Sequence, residues 1–87
     1  MDNLVGLIVR SKAGRDKGEY FLVLKTEAEF VYMANGDSRK VDSPKKKKLK
    51  HLQKTGYVSE FVKNRLQTIG KVTNSELRKA LAEYLNR

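Results

Sequence analysis

Leu4 to Arg10, Tyr20 to Lys25 and Phe30 to Ala34 are three short runs rich in Val, Ile, Leu, Phe and Tyr, set among Gly, Ser, Asp and Asn and all lying before residue 35. β-Branched and aromatic side chains suit the pleated surface of a sheet, and the bounding residues favour turns, so each run is predicted to be a strand. Short strands packed this closely along a chain point to a small barrel. After the third run comes Asn35-Gly36, a pair that readily takes the positive φ values of a type I′ hairpin turn, so a fourth strand is expected from Asp37 through Val41. Pro44 has no amide proton for a ladder and should end that strand. Leu49 and Leu52 then offer apolar anchors for a fifth short strand or a 3₁₀ turn.

From Gly56 the hydrophobic period changes. Val58, Phe61, Val62, Leu66 and Ile69 recur at helical spacing, Ser59 is a candidate N-cap, and Gly70 stands where a helix would end in a left-handed residue. A second helix is signalled by Thr73-Asn74-Ser75-Glu76, the pattern of a capping box. Beyond it, Leu77, Ala80, Leu81, Tyr84 and Leu85 form one apolar face, with Arg78, Lys79 and Glu83 elsewhere. That stripe must be buried, and the open side or end of the barrel is the nearest cover. The expected architecture is mainly β: a barrel of about five short strands over residues 1–54, with one or two helices over residues 55–87 packed on it. Eighty-seven residues allow one such core and no second domain.

Charge locates a surface. The formal net charge is +9, and Arg39 to Lys54 hold eight Lys or Arg against a single acid, Asp42, leaving +2 for the remaining 71 residues. A basic balance of this size favours polyanionic partners, and its concentration makes it a patch. Within it, Lys45-Lys46-Lys47-Lys48 is flanked by Arg39, Lys40, Lys50, His51 and Lys54. Cations near phosphates release condensed counterions, giving salt-sensitive and sequence-blind attraction to nucleic acid. A solvated charge run and a nuclear localisation signal are the alternatives, and both are weakened by Val41, Leu49 and Leu52, which would pin the segment to the barrel.

A second basic feature is the loop Ser11-Lys12-Ala13-Gly14-Arg15-Asp16-Lys17-Gly18. Gly14 and Gly18 permit tight backbone conformations that let a phosphate approach the amides, with Lys12, Arg15 and Lys17 supplying charge. The plainer reading is a hairpin loop turned by Asp16-Lys17-Gly18, its cations solvated. Tyr20, Phe21, Phe30 and Tyr32 lie on predicted strands and belong mostly to the core, although alternation would turn one ring of each neighbouring pair outward, available to stack on unpaired bases.

Gly6 to Leu24, centred on Val9 to Gly18, resembles the KOW motif of ribosomal and transcription-elongation proteins. The likeness continues through Ala34-Asn35-Gly36-Asp37-Ser38-Arg39-Lys40-Val41 and Pro44 to Leu52, so that roughly residues 4 to 54 are similar to bacterial KOW RNA-binding proteins akin to a large-subunit ribosomal protein of archaea and eukaryotes. Thr73 to Leu85 resembles the C-terminal helix of some members. The resemblance implies an SH3-like barrel, RNA or ribosome binding, and Lys12, Arg15 and Lys17 as contacts.

Catalysis is not expected. The chain has no Cys and one His, no plausible Ser-His-acid set and no Walker-type loop, and the usual nitrogen and sulfur ligands for zinc cannot be assembled. Neither export nor membrane insertion is signalled, because the N-terminus lacks a basic n-region and no apolar stretch approaches the roughly eighteen residues of a spanning helix. The sequence thus predicts a cofactor-free cytoplasmic RNA binder, monomeric when free and ribosome-associated. Its partner would be large-subunit ribosomal RNA, with phosphate contacts from Lys12, Arg15, Lys17, Arg39, Lys40 and the Lys45 to His51 segment, and Gly14, Gly18 and Gly36 shaping the loops. A protein-interaction adaptor and a charge-driven, non-specific nucleic-acid binder are the alternatives.

Overall fold

A computed structural model describes residues 4–87. Five antiparallel strands, β1 (Leu7–Ser11), β2 (Tyr20–Glu27), β3 (Phe30–Ala34), β4 (Lys45–Lys48) and β5 (Leu52–Val58), form one sheet in the order β4-β3-β2-β1-β5. Two helices follow, α1 (Glu60–Thr68) and α2 (Asn74–Leu85). The architecture is therefore mostly β with C-terminal helices.

The edge strands β4 and β5 are consecutive in the chain, separated only by a 3₁₀ turn, Leu49–His51. In a flat sheet they would stand four strand spacings apart, about 19 Å, which a three-residue 3₁₀ turn rising about 2 Å per residue does not reach. The sheet is accordingly rolled, and register shifts at Leu7/Val9 against β5 and at Val23/Lys25 against β3 supply local bends. The 3₁₀ turn joins the rims: Leu49 N–H donates to the Glu29 carbonyl (2.8 Å) and Lys12 N–H to the His51 carbonyl (2.9 Å). No ladder links β4 to β5, so the sheet is not closed.

Rolling gives the sheet two buried faces. Inside lie Leu7, Val9, Phe21, Val23, Val31, Met33 and Leu52; outside, Ile8, Leu22 and Ala34 pack against Val62, Val72, Leu77, Ala80, Leu81 and Tyr84 of the helical part. Strands covered on both sides need no polar alternation, which accounts for the continuous apolar runs in β1 and β2.

The caps form as their sequences predict. Ser59 Oγ accepts from Val62 N–H, and Gly70 follows α1 at φ +77°. Thr73 and Glu76 make the reciprocal pair of a capping box on α2. Three expectations are corrected. Asn35-Gly36 does not make a type I′ hairpin, and residues 37–41 are not a strand: Ala28 is the sole described non-glycine residue at positive φ, so Asn35 lacks the conformation that turn requires. Instead Asn35 Oδ1 accepts from Asp37 and Arg39 N–H (both 2.9 Å), while Arg39 O accepts from Asn35 and Gly36 N–H (both 3.0 Å), closing a compact loop. Second, Pro44 ends no strand but precedes one, and the lysine run is itself β4. Third, the helical period expected from Gly56 begins only after β5, whose ladder with β1 reaches Val58; the sheet thus extends beyond residue 54.

Candidate nucleic-acid interface

Opposite β4 runs β3, with Lys45 paired to Met33, Lys46 to Tyr32, Lys47 to Val31 and Lys48 to Phe30. Strand alternation sends these four ammonium groups in two directions. Lys46 Nζ lies 4.5 Å above the Phe30 ring and 3.7 Å from Glu27 Oε1; Lys48 Nζ is 3.7 Å from Glu29 Oε2. The Lys46 ammonium also lies 5.8 Å from the Tyr32 ring centre and that of Lys48 5.9 Å from Phe30, so one face of the lysine tract sits over half-buried rings and the other turns to the loop. Charged edges of this kind also discourage pairing with another sheet.

Lys45 and Lys47 turn the other way, towards the β1–β2 loop. Lys47 is only 9% exposed, and its ammonium donates to Asp16 Oδ1 (2.6 Å), the Ala13 carbonyl (2.6 Å) and Ser11 Oγ (2.8 Å). Ser11 Oγ in turn donates to Asp16 Oδ1 (2.6 Å), and Lys45 Nζ stands 3.5 Å from Asp16 Oδ2. Burial of Asp16, 8% exposed, opposes its ionisation, but hydrogen bonds from Lys47 and Ser11 and the charges of Lys47 and Lys45 prevail, holding its pKa at about 2. Asp16 is therefore a carboxylate at neutral pH, neutralised from below.

The consequence is a loop with Asp16 drawn inward and its cations outward, Glu19 being its one exposed acid. Lys12, Arg15 and Lys17 are all exposed. Gly14 and Gly18 take φ of +85° and +90° on either side of Asp16, the left-handed backbone that lets the loop fold over the Lys47 ammonium.

Around this loop the other predicted residues divide. Arg15, Arg39 and Lys45 line one cleft of about 210 Å³ with Asp16, Glu19 and Ser38, where Glu19 Oε1 accepts from Ser38 Oγ (2.9 Å). Exposed Lys50 and half-buried His51 lie on the 3₁₀ turn, tied to the foot of the loop by the Lys12–His51 backbone bond. Lys40 caps its own loop, donating to the Asp37 carbonyl (2.8 Å). Lys46 and Lys48 belong to the separate strip over Phe30 and Tyr32, and Lys47 serves inside the loop. Gly36, at φ +79°, is needed at the junction with α2: a Cβ there would run into the Asn74 carbonyl, and its own carbonyl accepts from Arg78 Nη1 (2.7 Å).

Of the four candidate rings, Phe21 is interior and Tyr20 half-buried against Tyr84. The exposed aromatics are Tyr57 and Phe61, neither of which the sequence marks as a stacking residue, the spacing of Phe61 placing it in the helical apolar stripe. Among the described residues no group of His, Cys, Asp or Glu could hold a metal ion, and no helix is long and apolar enough to cross a membrane. No protein-family model matches the chain, and no curated protein matches it.

Proposed function

We propose that the protein binds RNA through the β1–β2 loop, the Arg15–Arg39–Lys45 cleft and the 3₁₀ turn, acting by binding and not by turnover. The observation that carries this reading is the internal neutralisation of Asp16: the buried Lys47 draws this one of the loop's two acids off the surface, so Lys12, Arg15 and Lys17 face outward against a single exposed carboxylate, Glu19, which accepts from Ser38 Oγ. Phosphates then meet a rigid cationic loop backed by Arg39 and Lys45 on one side and Lys50 and His51 on the other. Lysines act as point charges, so discrimination on this face would come from the shape of a folded RNA more than from base identity.

The rolled sheet and the 3₁₀ turn that brings its edges together support an SH3-like barrel of the KOW type, and with it large-subunit ribosomal RNA or the ribosome as the cytoplasmic partner of a free monomer. Crosslinking in cells followed by sequencing of bound RNA, with sucrose-gradient fractions of the same lysate, tests this. The protein is expected to sediment with ribosomal particles and to crosslink to ribosomal RNA. If it stays at the top of the gradient with no ribosomal crosslink, the ribosomal assignment is wrong.

A further inference from the structure

A row of aromatic rings begins where the basic loop ends. Arg10, the exposed residue of β1, directs Nε to the Gly18 carbonyl at the foot of the loop (3.5 Å) and lies 5.8 Å from the Tyr20 ring centre. Tyr20 meets Tyr84 at 5.7 Å, Tyr84 meets Tyr57 at 5.2 Å, and the Arg87 guanidinium sits 4.0 Å over Tyr84. Tyr84 is buried and backs the row, whereas Tyr57 is 40% exposed. Phe61, 54% exposed, borders the same stretch of α2 beside Ala80 and Glu83.

Neither Tyr57 nor Phe61 is needed for the two cores, and large rings left in water are informative about partners. Apolar exposure alone would suit many surfaces, but here arginines fringe the row and its first member touches the cationic loop. Exposed rings stack on nucleobases of any identity, and guanidinium groups beside them, such as that of Arg65 5.4 Å from the Phe61 ring centre, take the intervening phosphates. The ring of Tyr57 is held against Tyr84, so little freedom is lost when a base lands on it.

We infer that this row binds unpaired RNA: bases stack on Tyr57 and Phe61 while Arg10 and Arg87 hold phosphates of a strand leaving the loop face. The inference rests on the RNA-binding reading above and extends it from backbone charge to single-stranded bases.

The test compares a short labelled oligouridine and a duplex RNA by fluorescence anisotropy on the full chain and on Tyr57→Leu, Phe61→Leu and Arg87→Gln, each checked for folding by circular dichroism. Leu keeps the apolar bulk and removes the stacking face, and Phe61 is exposed enough for its variant to fold. Tyr57→Leu and Phe61→Leu are each expected to weaken oligouridine binding about fivefold or more, with duplex binding unchanged. Arg87→Gln should lower the salt slope for oligouridine by about 0.7. Unchanged oligouridine affinity in both ring variants overturns the inference, as does equal loss of both RNAs. If RNase-resistant protein partners leave Tyr57→Leu while its oligouridine affinity stays, the row is a protein contact and the inference falls. A parent chain that binds duplex but no oligouridine overturns this inference alone; one that binds neither overturns the RNA reading with it.

Discussion

Replacing Lys47 by Met tests whether the lysine tract is a structural strand or a solvated charge run. Met preserves the unbranched stem and removes the ammonium that makes three hydrogen bonds within the loop. Breaking a fully buried ion pair from one side costs about 3–5 kcal/mol, because the remaining charge is stranded. Asp16 borders solvent and keeps Lys45 nearby, so the expected loss is smaller, about 2–3 kcal/mol. For a domain of this size that is a large part of the total stability and lowers Tm by about 10–20 °C. Lys46→Met is the control: its partner Glu27 is 3.7 Å away and both side chains are about half exposed, so the change should stay within about 0.5 kcal/mol. Thermal and urea unfolding followed by circular dichroism give both values. Equal stability of the two variants would refute the buried-pair account, and a large loss from Lys46→Met alone would reverse the assignment of faces on β4.

The same pair predicts acid behaviour. The Asp16 carboxyl is lowered from an ordinary 3.8 to about 2, so its contribution is complete above about pH 5, declines as pH falls from there, and is absent below about pH 1. Its size is about 1–2 kcal/mol after allowance for screening at the loop rim; unfolding free energies of the parent chain and Asp16→Asn should converge over that window, and parallel curves would contradict it. Gly36→Ala should cost about 2 kcal/mol or more, since it combines a positive φ with a collision at the Asn74 carbonyl. Hydrogen exchange should show α2 losing protection first, and unchanged α2 protection would mean that the loop yields instead.

Much of the fold was legible where one residue's chemistry fixes local structure. Ser59, Gly70 and the Thr73–Glu76 box act within a turn of themselves, and Phe30–Ala34 forms a strand with the predicted bounds because its side chains suit no solvated alternative. Lys45–Lys48 was opaque for the opposite reason: its lysines are held in a strand by partners distant in sequence, Asp16 for Lys45 and Lys47, Glu27 and Glu29 with the Phe30 ring for Lys46 and Lys48. Asp16 Oδ1 lies 31 residues from Lys47 in sequence, so nothing local announces that pair. At Asn35 the misreading came from a side chain: its Oδ1 supplies the acceptor that a hairpin ladder would otherwise provide. The cationic loop was legible as charge, but the withdrawal of Asp16 became visible only with the fold.

The most direct measurement of the central claim is the slope of log affinity on log salt for a structured ribosomal RNA fragment. Substituting Lys12, Arg15 and Lys17 together by Ala should reduce that slope by about 2–3, roughly one phosphate contact per residue. Substituting Lys46 and Lys48 by Ala should reduce it by less than about 1, because these lysines lie on the other face of β4 beside Glu27 and Glu29. An unchanged slope for the loop variant, or a greater loss from the Lys46 and Lys48 variant, would contradict the account.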